Sequence, residues 1–496
     1  MRTGQVAAVD LGATSGRVIL ANVGAGRLDM HPVARFANTP LRLWNGTRTA
    51  LHWDALGLFG HVCDGLTAVA RQADNLTAIG VDSWAVDYGL LRDGRLLSLP
   101  HHYRDERSAI GVDIIHREFD PADLYQRNGL QFLPFNTVYQ LAAEMAEGLL
   151  GLADTALLIP DLINYWLAGR VATERTNAST TGLVGLDGAW DRPLMRRIGL
   201  PEKLFPDIVE PGSTLGPMLP EVRAQLGIDE GVRVVSVASH DTASAVAAIP
   251  MHAESAAYIS CGTWGLVGIE LPSAIVNDAS RAANFTNEVG ADGRVRFLHN
   301  VMGLWLLSET IRQFERDGHA ADLAALLDQA AAAPTPPTVF DTDDPRFLPP
   351  GDIPARISAW YRERGLPAPG GRAEMVRAIV ESLAAAFASN VSAAAELSGI
   401  DITTVHIVGG GSQNRLLCQL TADRLGLPLL AGPVEATALG NVLLTARAQD
   451  LVTGNLEDLR ALVAAMFPPQ RYTPQQPRRG STSRRHGITS SVADLM

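Results

Sequence analysis

Residues 5–23 read Gln5-Val-Ala-Ala-Val9-Asp10-Leu-Gly12-Ala13-Thr14-Ser15-Gly16-Arg17-Val18-Ile-Leu-Ala-Asn-Val23, and their pattern decides the fold. A short apolar run, Gln5 to Val9, ends at a carboxylate. A turn of small residues follows, and a second apolar run with β-branched residues begins at Arg17. That is strand, tight turn, strand. A dinucleotide-binding unit would instead open a helix from a G-x-G-x-x-G turn, so Gly12 to Gly16 argue against an oxidoreductase.

The same pattern returns about 250 residues later. There Ala257-Tyr-Ile-Ser260 leads through Cys261-Gly262-Thr263 into Trp264 to Ile269, again strand, small-residue turn, strand. Two related halves, each opening with a hairpin that can present backbone N–H groups, make a two-lobed α/β protein with a cleft between the lobes. Leu76 to Asp82 and Arg233 to Ala238 read as further buried strands, and Leu56 to Arg71 as a helix. Val405 to Val408 is a strand running into Gly409-Gly410-Gly411 and then a helix with Leu416, Leu417 and Leu420 on one face. Residues 334–351, rich in Pro and Asp, read as an irregular excursion. From Gln475 onward Arg478, Arg479, Arg484 and Arg485 sit among Ser, Thr, Gly and Gln, the composition of a disordered basic tail.

Composition narrows the chemistry. The chain has 496 residues, which at roughly 150 per domain excludes one small domain. It is 47% hydrophobic and 19% charged, enough apolar material for large packed cores. The net charge of −12, without a basic patch in the body, disfavours nucleic acid and membrane surfaces as partners. Lys203 is the only lysine and lies in Pro201-Glu-Lys203-Leu, so neither a P-loop nor a protein-kinase phosphate lysine can be built. Cys63, Cys261 and Cys418 are far apart and lack C-x-x-C spacing, which speaks against zinc or a disulfide framework and for a reducing, cytoplasmic setting. The start reaches Asp10 before it can form a signal-peptide core, and no uncharged apolar run approaches the ~18 residues of a membrane span.

Several short segments can carry chemistry. Asp10 stands at a strand end beside a turn whose amides and hydroxyls can approach an anion closely, which suits phosphate with Mg²⁺ held directly or through water. An ordinary hairpin turn accounts for the same residues equally well. In Ser239-His240-Asp241-Thr242, Asp241 falls at a strand end and near a helix N-terminus, placed to serve as a general base or as an N-cap. The run Gly409-Gly410-Gly411 permits close backbone approach to a nucleotide, and Gly262-Thr263 could touch the same ligand from the mid-chain hairpin. Val81-Asp82-Ser-Trp84-Ala85-Val-Asp87-Tyr88 sets aromatics among carboxylates, a composition that suits a sugar as well as strand packing. Asn300, ahead of an apolar run, reads as a helix cap or a sugar contact.

The order of these segments resembles that of the FGGY carbohydrate kinases from about Val6 to about Leu444. Tyr103-Arg-Asp105, Gly129-Leu-Gln-Phe-Leu-Pro-Phe-Asn-Thr137 and Asn300-Val-Met-Gly-Leu-Trp-Leu-Leu307 add to the match. The resemblance implies two ribonuclease-H-like domains of the actin and hexokinase type flanking a cleft. Residues 1–247 would bind sugar and phosphate, and residues 248–450 the nucleotide. It further implies ATP and Mg²⁺, with a ketose, L-rhamnulose or a relative such as fuculose or xylulose, as acceptor. Ala13, Thr14, Ser15, Gly16, Arg17, Thr263, Ser308 and Gly410 are then expected at ATP. Ala85, His240, Asp241, Thr242 and Asn300 are expected at the sugar, with Asp241 as catalytic base and Asp10 at the metal. Ala85 stands where the family typically has glycine, and Ser308 where it commonly has glutamine. A non-catalytic nucleotide-binding protein on the same fold is the rival from another class, and it conflicts with an intact His240-Asp241-Thr242.

Overall fold

The computed structural model describes residues 3–24, 26–319 and 322–475. The expected basic tail lies outside them, apart from Gln475, whose amide donates to Asp423 Oδ1 at 2.7 Å. Two large mixed sheets organise the chain. In the first, Gly4–Leu11 is central, antiparallel to Ser15–Gly24 and parallel to Leu76–Ser83. Arg27–Ala37 extends it on the hairpin side, and Arg233–Ser236 and Ser213–Pro217 on the other. In the second, Ala256–Cys261 is central, antiparallel to Trp264–Leu271 and parallel to Thr404–Val408. Val295–Met302 and Thr286–Val289 follow on the hairpin side, Leu429–Ala431 and Gln470–Tyr472 on the other.

Both sheets share one centre, in which the first strand of the sheet pairs antiparallel with the second on one side and parallel with a later strand on the other; beyond it the orders differ, since the second sheet places its fourth strand between the second and third. The repeated strand–turn–strand pattern thus marks the first two strands of two related lobes. Each central strand is buried on both faces, which is why Val6 to Val9 and Ala256 to Ile259 read as continuous rather than alternating apolar runs.

Helices cover the faces. Ala55–Gln72 starts where Asp54 accepts from the Gly57 amide at 2.9 Å, and it buries Leu58, Val62, Leu66 and Val69 against the first sheet. The helix Arg372–Ser398 is long and apolar enough to cross a membrane, yet it lies in the core of the second lobe with Ile379, Leu383 and Phe387 fully buried.

Two helices from late in the chain pack on the other face of the first sheet. Ala436–Arg447 and Leu456–Met466 bury Leu439, Val442 and Leu459 with Val6, Ala8 and Ala247. The excursion at 334–351 is irregular except for one short 3-10 turn at Pro345–Phe347. It reaches across the cleft, where Arg104 donates to the Leu348 carbonyl at 2.7 Å.

Candidate active site

A cavity of about 430 Å³ lies between the lobes, and its walls come from the loops that follow the central strands. On the first lobe the turn after Gly4–Leu11 is closed by Gly12 N donating to Ser15 O at 2.9 Å. Asn38 pins it from the side, donating its amide N–H to Thr14 O at 3.0 Å and Nδ2 to Gly12 O at 2.9 Å. With these carbonyls engaged, the turn is set up to receive an acceptor-rich ligand. Arg17 donates Nε to Asp10 Oδ2 at 2.9 Å and also pairs with Glu435, at the start of helix Ala436–Arg447. Arg35 approaches the same Glu435 at 3.5 Å.

Asp241 stands across from this turn. The bridge between Ser83 and His240, with Ser83 N donating to Ser239 O at 2.9 Å, brings the ends of two parallel strands together and places Asp241 at the cleft. His240 occupies the cap position of helix Asp241–Ala247 and Asp241 the first helical position, so the N-cap reading of Asp241 does not hold. Asp241 Oδ1 instead accepts from Thr242 Oγ1 at 3.1 Å and faces His240 Nε2 at 3.5 Å. Burial raises its carboxyl above the ordinary range, opposed by His240 and Thr242. Burial also raises Asp10, opposed by Arg17 and reinforced by the charge of Asp241.

Beyond Asp241 the cavity turns aromatic. Trp84, Tyr103, Phe135 and Trp264 line it together with Ala85, Val86, Gln131 and Asn300. Tyr103 and Phe135 ring centres are 5.3 Å apart, and those of Phe135 and Trp264 5.5 Å. Val86 has φ +68°, a strained setting for a β-branched residue, so the backbone at Ala85 and Val86 is held by its surroundings. Asp87 supplies that hold. Its carboxylate accepts from Trp53 Nε1 at 2.5 Å, Trp84 Nε1 at 3.0 Å, Gln140 Nε2 at 2.8 Å and Tyr103 N at 3.2 Å.

Asp82 and Asp87, read from sequence as partners for a sugar, are both fully buried and point elsewhere: Asp82 Oδ2 accepts from Asn441 Nδ2 at 2.6 Å. Asn300 lies inside strand Val295–Met302, so it caps no helix. Its side chain and its backbone amide both donate to Gln131 Oε1, at 2.9 and 2.8 Å.

The second lobe closes the other end. Gly262 N donates to Trp264 O at 2.8 Å, and Trp305 N to Thr263 O at 3.1 Å, fixing the second hairpin turn. The three glycines after Thr404–Val408 differ in what they require. A β-carbon on Gly409 would sit 2.9 Å from Cys261 O, and one on Gly411 2.3 Å from Cys261 Sγ; Gly410 is nearly open, with Leu304 at 3.7 Å. Packing demands the outer two, while Gly410 lines the cleft with Ser308.

Matching the chain to known families completes this picture. Residues 5–248 fit the model of the FGGY family of carbohydrate kinases, N-terminal domain, and residues 257–449 that of its C-terminal domain. The chain belongs to the FGGY family of carbohydrate kinases. A kinase of this family takes ATP as its phosphoryl donor. Among similar FGGY kinases, a rhamnulokinase of Klebsiella pneumoniae (strain 342) is 40% identical over 475 residues, covering 94% of each chain. A rhamnulokinase of Pectobacterium carotovorum is 40% identical over 484 residues, 96% of this chain and 94% of that one. The fold matches a gluconate kinase from Lactobacillus acidophilus with TM-score 0.74 at 18% identity, over 95% of this chain and 94% of the other. A Plasmodium falciparum glycerol kinase solved with ADP matches with TM-score 0.73 at 14% identity and the same coverage.

Of the residues expected at the site of this kinase, Asp10, Ala13, Thr14, Ser15, Arg17, Ala85, His240, Asp241, Thr242, Thr263, Asn300, Ser308 and Gly410 all line the one cavity. Gly16 does not line it: a β-carbon there would fall 2.2 Å from the Phe36 ring, so its glycine serves packing within the sheet. Arg35, Gln131, Glu288 and Glu435 also line the cavity and were not singled out from sequence. Each sits in an ordinary strand or loop context, and only the lobe arrangement brings it to the site.

Proposed function

We propose that the chain transfers the γ-phosphoryl group of ATP to O1 of L-rhamnulose, giving L-rhamnulose 1-phosphate and ADP. The observation that carries this reading is the position of Asp241, at the junction between the phosphate-type turn of residues 12–17 and the aromatic end of the cavity. The 40% identity to rhamnulokinases over nearly the full length supports L-rhamnulose as acceptor.

Asp241 would accept the proton of the sugar hydroxyl as its oxygen bonds to the γ-phosphorus and the bond from that phosphorus to the β,γ-bridging oxygen breaks, the electron pair leaving with ADP. Arg17 and the turn of Ala13 to Ser15 would hold the phosphates, Thr263 and Gly410 the nucleotide from the second lobe. Ser308 is short for a direct contact and would reach ATP through water. Trp84, Ala85, Thr242 and Asn300 would seat the sugar. Burial and the charge of Asp241 raise the Asp10 carboxyl, a penalty that a divalent cation relieves, so Asp10 would hold Mg²⁺ directly or through water. When bound, Mg²⁺ supplies charge neutralisation on the transferring phosphoryl group. We place the enzyme in the cytoplasm, in keeping with three free cysteines of which Cys261 and Cys418 are buried.

One observation favours a neighbouring reading. Ala85 lines the sugar end where the family typically has glycine, and its methyl could redirect the preference to another ketose. ADP release with Mg-ATP across L-rhamnulose, L-fuculose, D- and L-xylulose, D- and L-ribulose, glycerol and no sugar separates the readings. Preference for L-rhamnulose is expected; preference for another ketose transfers the assignment to it, and no stimulation by any sugar rejects kinase activity on this panel. In the same assay Asp241→Asn is expected to bind sugar yet nearly abolish turnover. Activity above about a tenth of wild type would refute its role as base.

A further inference from the structure

Behind Asp241 lies a buried charged group that the reaction as described leaves unused. Arg296 is fully buried, the largest charged side chain so enclosed among the described residues, and lies opposite Glu288 in the antiparallel pair of Val295–Met302 with Thr286–Val289. Its Nη2 is 3.0 Å from Glu288 Oε2 and 3.0 Å from His240 Nδ1, while Nε donates to Val289 O at 3.2 Å. Glu288 Oε2 is itself 3.4 Å from His240 Nδ1. Thus two residues of the second lobe grip the outer nitrogen of a first-lobe histidine whose inner nitrogen, Nε2, faces Asp241 Oδ1 at 3.5 Å.

The donor inventory orders this chain of contacts. A guanidinium can only donate, so His240 Nδ1 is the acceptor of Arg296. A neutral imidazole that accepts at Nδ1 carries its proton on Nε2, and that proton points toward the Asp241 carboxylate. The opposite tautomer would set Nδ1–H against the nearer Arg296 donor at 3.0 Å, with only the longer 3.4 Å approach to Glu288 Oε2 in its favour, and would turn the Nε2 lone pair toward the Asp241 carboxylate. Glu288 neutralises Arg296, without which a fully enclosed cation would be strongly unfavourable. Burial raises the Glu288 carboxyl, but Arg296 and His240 together outweigh it and hold the group below its ordinary range.

We propose that Arg296 and Glu288 are positioning residues for phosphoryl transfer, fixing the tautomer and orientation of His240 and through it the orientation of Asp241, so that the base is fully arranged only where the two lobes meet. The proposal rests on the reading of Asp241 as base. It ties that base to the second lobe through one contact chain. The same strand is anchored to the first lobe next door, where Val289 N donates to Ser179 Oγ at 3.0 Å. Opening at this junction would separate Arg296 from His240 and free the ring to change tautomer.

Two measurements test it on the full chain. The first is on the unmodified protein: with ¹⁵N-labelled histidine, the ring signals of His240, assigned by their loss in His240→Gln, are expected to show a proton on Nε2 and a bare Nδ1. A proton on Nδ1 with a bare Nε2 would overturn the proposal. The second uses the double variant Arg296→Met/Glu288→Gln, which removes both charges so that neither is left buried alone. Its kcat is expected to fall about 10-fold or more while the sugar dissociation constant, by titration calorimetry, stays within about 3-fold. Equal loss of sugar affinity and kcat, or an unchanged kcat, would show a purely structural role. If the double variant does not fold, the histidine spectrum decides alone. Should Asp241→Asn retain turnover, the base assignment fails, and the His240 tautomer still reports separately on the Arg296 contact.

Discussion

Gly440 lies so close to Ser244 that a β-carbon on it would sit 1.8 Å from the Ser244 carbonyl oxygen. Helices Ala436–Arg447 and Asp241–Ala247 therefore touch backbone to backbone, and the second of these begins with Asp241. The next residue, Asn441, donates Nδ2 to the buried Asp82 at 2.6 Å, locking the same crossing to the first sheet. Gly440→Ala would stabilise an exposed helix by nearly 1 kcal/mol, but here it must push the two helices apart. We expect a loss of about 1–3 kcal/mol in urea unfolding, accompanied by a lower kcat as Asp241 shifts. A variant as stable as wild type would show that the crossing has slack.

Asp10→Asn keeps an oxygen for Arg17 and removes the carboxylate charge that the neighbouring Asp241 opposes. Turnover with Mg-ATP is expected to fall about 100-fold, and the Mg²⁺ concentration for half-maximal rate to rise, while sugar binding measured without nucleotide is unchanged. An unaltered Mg²⁺ requirement would remove Asp10 from the metal site.

Asp87 links the sugar-side backbone to pH. Burial, against hydrogen bonds from Gln140, Trp53 and Trp84, raises its carboxyl from the ordinary 3.8 to about 7. An acid that holds its proton more tightly when folded contributes stability that is complete below the unfolded pKa and is lost as pH rises through the folded one. The Asp87 contribution should therefore decline between pH 3.8 and about 7. Thermal unfolding followed across this window should show a flatter pH dependence for Asp87→Asn than for wild type. Equal slopes would mean that Asp87 does not titrate there.

Ala85→Gly removes one methyl beside the sugar. A single carbon in a pocket is worth roughly 1–3 kcal/mol of discrimination, so the ratio of kcat/KM between L-rhamnulose and the next-best ketose should change about 5- to 150-fold. Competition assays with paired sugars read that ratio directly. No change would place the specificity determinant elsewhere, with Gln131 and its bond to Asn300 as the next residue to vary.

The two hairpins, the glycine turn at 409–411 and Asp241 at a strand end were legible because each is a local pattern whose meaning survives without knowing what packs against it. Period-two or continuous apolar runs identify strands, and small residues identify turns that a ligand or another backbone must approach. Gly410 and Gly16 show the limit of that reading. Both are glycines in the right segment, yet Gly410 faces the cleft while Gly16 makes room for the Phe36 ring, and nothing within either turn distinguishes them. Asp82 and Asp87 failed as sugar partners for a related reason: a carboxylate beside aromatics serves a buried network as readily as a ligand, and the partners that claimed them, Asn441, Trp53 and Gln140, are remote in sequence.

Short-range sterics and apolar periodicity suffice to specify two related α/β lobes and the chemistry of their central strands and turns, so these can be read along the chain. That Arg296 and Glu288 of one lobe reach His240 of the other, that Gln131 holds Asn300, and that Glu435 meets Arg17 emerges only from the packed fold. Those pairings carry no local signature because charged and amide side chains gain directional contacts only after burial of apolar surface has brought distant strands into register.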